Sequence, residues 1–341
     1  MKIARPDDAS PDGRLLRSTA SARFAAWVAD EARKMPLPGS GATRERFALL
    51  HDLGRTDLSL TRLAEGHADA TAILHELGAP PPAPEERWGV WAAQPPGAVL
   101  KAAEEGTGAW RLDGVKAFCS GAGSCTRALV TAETDAGRRL FVVDTGHPGC
   151  AAVAGSWQAV GMAGSDTPDV TFAAVPALPL GEVEAYTQRP GFWHGGVGVA
   201  ACWLGGARGV ADTLVRAVRR REPDQLTAAH LGAVDSALYS AECVLERAAG
   251  EIDADPADAG AQALVRAART RAVVADVCAR VLDVVGRALG AGPLCHDGEH
   301  AQRVADLGVY IRQHHAERDL AALGSELAGR HDLLSSSEGA R

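Results

Sequence analysis

The sequence is poor in lysine and contains no paired-cysteine motif. Lysine occurs only at Lys2, Lys34, Lys101 and Lys116, so nearly all the positive charge of this 341-residue chain is arginine. Formal net charge is −8, which leaves no basic footprint for broad nucleic-acid binding. The seven cysteines (Cys119, Cys125, Cys150, Cys202, Cys243, Cys278, Cys295) include no Cys-x-x-Cys pair and no Cys/His spacing of a zinc site. Their odd number and scatter fit reduced, mostly buried thiols of a cytosol. Neither a structural metal nor a disulfide framework is expected. No stretch approaches the roughly 20 apolar residues of a membrane span. Met1-Lys-Ile-Ala-Arg-Pro-Asp-Asp8 has no apolar signal core. The expectation is a soluble, cytoplasmic chain with no nucleic-acid partner and no membrane span.

What is present is a change of pattern along the chain. Its length suits two or three domains. Residues 1–13 read as a loose polar tail. Residues 14–35 and 43–78 carry helical periodicity, with Asp57 as N-cap before Leu58-Ser-Leu-Thr-Arg-Leu63. Gly78-Ala-Pro-Pro-Pro-Ala-Pro-Glu85 ends the helices, because proline fixes φ and removes donors. From Trp88 to about Val175, short apolar runs separated by Gly, Pro, Asp and Thr read as antiparallel strands. Phe141–Asp144 is the clearest, and Val153–Met162 is another. After Pro190, residues 194–221, 224–250, 257–289 and 300–328 form four amphipathic helices of a bundle. The boundaries are therefore 14–86, 87–189 and 190–330, with a frayed end over 331–341.

Four phrases then acquire meaning together. They are Leu112-Asp-Gly-Val-Lys-Ala-Phe-Cys-Ser-Gly-Ala122, Ala128-Leu-Val-Thr-Ala-Glu133, Gly161-Met-Ala-Gly-Ser-Asp-Thr167 and Val170-Thr-Phe-Ala-Ala-Val-Pro176. In this order they resemble the middle domain of the acyl-CoA dehydrogenase superfamily. His51–Leu60, Leu204–Asp212 and Gly290-Ala-Gly292 are similar to the family's helical phrases, so the likeness spans about residues 45–325. The resemblance implies an α+β fold: an N-terminal helical domain, here shortened, a central antiparallel β-barrel-like domain, and a C-terminal four-helix bundle. It also implies FAD, a small acyl-thioester-like substrate, a homodimer or homotetramer, and an electron-acceptor protein as partner.

The family pattern carries over residue by residue. Ser120 stands where a Ser or Thr touches the flavin N5 edge, and Phe118, on the same strand face, shields the ring. Ser165, Asp166 and Thr167 form the turn beside the flavin phosphates, with Ala163 where an arginine is usual. Ala93-Gln94-Pro95 replaces Thr-Glu-Pro. Arg221 matches an arginine that meets a neighbouring subunit's flavin pyrophosphate, and Gly290 and Gly292 form the glycine turn. The catalytic glutamate is missing. Counting from Asp306, its place falls on His314, beside His315; the alternative place falls near Gly195, beside His194. An imidazole serves as a base near neutral pH. Three functions follow as expectations: a flavin-dependent dehydrogenase or related oxidoreductase, a flavin monooxygenase of the same fold, or a non-catalytic relative without flavin.

Overall fold

The computed structural model describes residues 11–106, 108–220 and 222–330. Three helices come first: α1 (Pro11–Asp30), α2 (Thr43–Thr56) and α3 (Leu58–Glu76). The strands are β1 (Trp88–Trp91), β2 (Leu100–Glu105), β3 (Ala109–Lys116), β4 (Arg127–Thr134), β5 (Gly137–Asp144), β6 (Cys150–Ala152) and β7 (Val170–Leu180). The remaining helices are α4 (Ala185–Gln188), α5 (Pro190–Arg220), α6 (Gln225–Ala254), α7 (Ala263–Leu289), α8 (Gly292–His296), α9 (Gly298–Tyr310) and α10 (Glu317–Gly329). The chain forms two compact units. One holds α1, α3 and the strands and ends at Phe192; the other holds α2 and the helices from Trp193 onward. The N-terminal helices expected as a separate domain over 14–86 are thus divided between the two units.

In the first unit, β4, β2, β3, β7 and β5 pair in that order, and β5 returns to β4, closing a five-stranded barrel. Strand β4 shows why its sequence is apolar without alternation. Ala128, Val130 and Ala132 join Leu112, Phe141 and Val175 inside the barrel. Leu129 points the other way and, with Leu140 of β5, packs against Ala70, Ile73 and Leu74 of α3. A strand buried on both faces reads as a continuous hydrophobic run. Gly114 sits at the bulge between β3 and β7 with φ +126, where a Cβ would lie 2.2 Å from Val99 O; no other residue fits. Helix α3 begins as expected, with the Asp57 carboxylate accepting the Leu60 N–H at 3.0 Å.

The second unit depends on a close helix crossing. A Cβ on Gly205 of α5 would meet His51 O of α2 at 2.0 Å, and one on Gly54 would meet Cys202 O at 2.3 Å. The small residues let the two backbones touch, and Arg55 closes the contact with a forked pair to Asp212 at 2.7 and 2.9 Å. The same geometry fixes α2 to this unit rather than to α3.

Several sequence expectations are corrected. The sheet is not wholly antiparallel: β1 and β2 both run parallel to β4. Val153–Met162 forms no strand; the edge strand is β6, before it. The helix expected over 257–289 starts at Ala263, because Asp258 (φ 53) turns the chain and its carboxylate accepts the Gln262 and Ala263 N–H groups. The helix expected over 300–328 is broken into α9 and α10 by a 3₁₀ turn at Ile311–Gln313. The proposed tail over 331–341 and all but the end of that over 1–13 lie outside the described residues; α1 already begins at Pro11.

Candidate functional site

Two turns beyond the ends of β3 and before β7 carry most of the singled-out residues of the first unit. The backbone cross-links them: Cys119 N–H donates to Pro168 O at 2.9 Å, and Gly121 N–H to Ser165 O and Asp166 O, each at 2.9 Å. The Asp166 carboxylate accepts the Gly123 N–H at 3.0 Å. Phe118, Met162 and Asp166 adopt φ of 58, 61 and 42, a conformation costing non-glycine residues about 1 kcal/mol or more each. Strain of this kind persists only where surrounding contacts over-determine the loop. Here it turns Phe118 outward, with half of its surface exposed. The expected strand face shared by Phe118 and Ser120 is therefore absent. Strand β3 ends at Lys116, and both residues belong to the turn.

Three buried hydroxyls meet between the turns. Thr167 Oγ1 donates to Ser120 Oγ at 3.1 Å and lies 2.8 Å from Ser165 Oγ, which in turn reaches Met162 O at 2.8 Å. A hydroxyl has one proton and two acceptor sites. Ser165 spends its proton on Met162 O, so Thr167 has one proton for two neighbouring hydroxyl oxygens, Ser165 Oγ at 2.8 Å and Ser120 Oγ at 3.1 Å. The Ser120 carbonyl is held by Trp91 Nε1 at 3.0 Å. No motif marks Trp91 in the sequence; the only signal is that a buried indole usually finds an acceptor. Ala93, two residues on, is exposed, and its neighbour Gln94 donates to Glu133 at 2.7 Å.

Lys116 lies inside the barrel, 2% exposed, with Nζ donating to Thr131 O at 2.7 Å and Thr131 Oγ1 at 2.8 Å. Burial lowers its pKa to about 8.

In the second unit, His314 follows the 3₁₀ turn with φ −88 and ψ 121. It is not on a helix face as expected. Its ring is half-buried, and burial, helped by Arg271 and His315, lowers its pKa against the pull of Asp319 and Asp276. His315 is exposed; its N–H donates to Asp319 Oδ2 at 2.9 Å and its Nδ1 lies 3.3 Å from Oδ1. His194 is buried in α5, and its Nε2 sits 3.0 Å from Pro256 O. A carbonyl can only accept, so Nε2 carries the proton and that nitrogen is not a free base.

Gly290 ends α7 with φ 64 and ψ −158, a region essentially reserved for glycine. Gly292 lines an open cleft of about 380 Å³ with Thr213, Arg216, Arg220, His296 and Asp297. Arg216 lies 3.7 Å from the Asp297 carboxylate and donates to Thr213 Oγ1 at 3.0 Å, and Arg220 adds a second guanidinium to the lining. Arg221 lies outside the described residues. Among the described residues no cluster of His, Cys, Asp and Glu could hold a metal, and no helix is long and apolar enough to cross a membrane.

No protein-family model matches the sequence, and no curated protein matches it. Solved structures do match. KijD3 in complex with FMN and a dTDP-sugar superposes with a TM-score of 0.73 at 21% identity, over 94% of each chain. The dibenzothiophene monooxygenase TdsC of Paenibacillus sp. A11-2 gives 0.73 at 19% identity, over 94% of this chain and 98% of that one. Glutaryl-CoA dehydrogenase of Mycobacterium smegmatis, in complex with FADH2, gives 0.72 at 16% identity, over 94% and 96%. The chain has the acyl-CoA dehydrogenase fold.

Proposed function

We propose that this protein is a flavin-dependent oxidoreductase and that the turn pair of the first unit receives the flavin edge. The observation that carries this reading is the cluster of buried Ser120, Ser165 and Thr167 hydroxyls between two turns that the backbone cross-links. A flavin, when bound, supplies hydride or oxygen chemistry. The chain's own contribution is to present the Ser120 hydroxyl, held in place by its neighbours, and the exposed Phe118 ring on the same turn. The similar structures support the reading, since their bound groups include FMN and FADH2.

The monooxygenase branch is the second reading. It is favoured by the residues at the two positions where a carboxylate base was expected, which hold His314 and Gly195. In either case His314, half-buried and held neutral, is the proton-handling group we assign; His315, paired with Asp319 in solvent, supports it less. The turn of Ser165, Asp166 and Thr167, beside Ser120, is the place in the first unit where the resemblance puts the phosphates of FAD or FMN. A small substrate of the acyl-thioester kind, a homo-oligomer and an electron-acceptor protein complete the proposal and rest on the resemblance.

The test is flavin titration of the purified protein. FAD, FMN and reduced FMN should each be tried, with absorption as the readout. The expected result is binding of at least one form, weakened in Ser120→Ala by an amount equal to a buried hydrogen bond, about 1–3 kcal/mol. Binding by none of the three would leave the non-catalytic reading in place. Anaerobic bleaching by acyl-CoA esters would favour the dehydrogenase; substrate oxygenation with reduced flavin would favour the monooxygenase.

A further inference from the structure

A side chain of α7 reaches the break between α9 and α10. Arg271 donates from Nη1 to Gly196 O at 2.9 Å and from Nη2 to Gln313 O at 3.0 Å. Its guanidinium lies 4.6 Å over the ring of Trp203, which is itself fully buried and stands edge-on to Tyr310 at 6.3 Å. The Gln313 carbonyl belongs to the same planar peptide unit as the His314 nitrogen. Fixing that oxygen therefore fixes the plane from which the His314 side chain departs.

We propose that Arg271 is a positioning residue for His314, clamping the Gln313–His314 peptide so that the imidazole stays in its half-buried place. The proposal rests on the assignment of His314 as the proton-handling group. Lysine could not replace this arginine. An ammonium is a point charge on a flexible stem, whereas the planar fork reaches two carbonyls and stacks on an aromatic ring at once. The charged groups around the imidazole are Arg271 and Asp276 from α7, and His315 and Asp319 from the α10 side. Arg271 acts on it in two separable ways. Its charge disfavours a second cation, and its clamp maintains the burial that is the larger cause of the lowered pKa.

Proton NMR titration of the histidine ring signals separates the two. The His314 signal is the one lost in His314→Gln, and the comparison is between the parent chain, Arg271→Lys and Arg271→Gln. The expected result is that both Arg271 variants raise the His314 midpoint, by on the order of half a unit or more, because the ring is released to water even where the positive charge is kept. A midpoint unchanged in Arg271→Lys overturns the proposal, whatever the glutamine variant does. Arg271 would then act through charge alone or not at all. If Arg271→Gln does not fold by circular dichroism, the lysine variant decides by itself. Failure of the underlying assignment looks different: turnover unaffected by His314→Gln removes the proton-handling role and leaves the titration shifts as they are.

Discussion

Thr43 Oγ1 donates to Asp253 Oδ1 at 2.6 Å, joining the first residue of α2 to the last turn of α6 across 210 positions of sequence. The same carboxylate accepts the N–H groups of Thr43 and Gly41 at 3.0 and 3.1 Å. A helix start leaves its first N–H groups without intrahelical partners. Asp253 fills that need from another helix. Asp253→Ala should cost about 2 kcal/mol of unfolding free energy, read from the urea midpoint. An unchanged midpoint would show that solvent satisfies α2 equally well.

Acid should weaken the first unit through His67. This histidine is buried, accepts the Trp88 N–H on Nδ1 at 3.1 Å and meets Phe24 and Trp27 edge-on. Burial lowers its pKa from 6.5 to about 4. Between those values the unfolded chain binds the proton and the folded chain does not, so stability falls as pH falls from 6.5 and levels off below 4. The full effect is up to about 3 kcal/mol. His67→Gln should flatten this slope in thermal unfolding across that window.

At the alkaline side Lys116 works in the same direction. Its folded pKa of about 8 lies below the unfolded 10.5. In that interval the unfolded chain again holds more protons, so this residue adds stability as pH rises through it. The difference in unfolding free energy between the parent and Lys116→Met should therefore change between pH 8 and 10.5. A constant difference would mean that Lys116 titrates normally and that its contacts to Thr131 outweigh burial.

Two glycines of helical interiors should respond with opposite sign. Gly205→Ala places a methyl 2.0 Å from His51 O and should destabilise by about 1–3 kcal/mol or prevent α2 from seating. Gly286→Ala in α7 meets nothing within 4 Å and should stabilise by about 0.5–1 kcal/mol, the difference in helix propensity. Calorimetric melting of the pair checks both at once.

Local chemistry made some of this legible in the sequence. Asp57 announced the start of α3 because a short carboxylate before a helical period has one favourable use, and the runs of β4 and β5 announced buried strands. The turn with Ser120 was legible from its motif, but the hydroxyl chain through Ser165 was not, since it depends on distances. The parallel pairing of β1 with β4 was hidden because nothing within either strand encodes its partner. The break before His314 was hidden for a sharper reason. Ile311-Arg-Gln-His-His-Ala316 contains no proline or glycine, and the donation from Arg271 to Gln313 O that accompanies the break comes from another helix.

The cross-linked turns also bear on when the Ser120 corner can assemble. Ser120 and Thr167 are 47 residues apart, and Gly123 and Asp166 are 43 apart. Closing loops of that length costs entropy before any contact repays it. The flanking strands β3 and β7 pair with each other over a similar separation, so zippering them brings the two turns together. The corner should therefore order late in refolding, in the same step that registers β7 against β3. A cut in the 153–162 segment would be expected to slow recovery of the site far more than recovery of helix signal, because the two halves would then have to find each other by diffusion rather than through a tether.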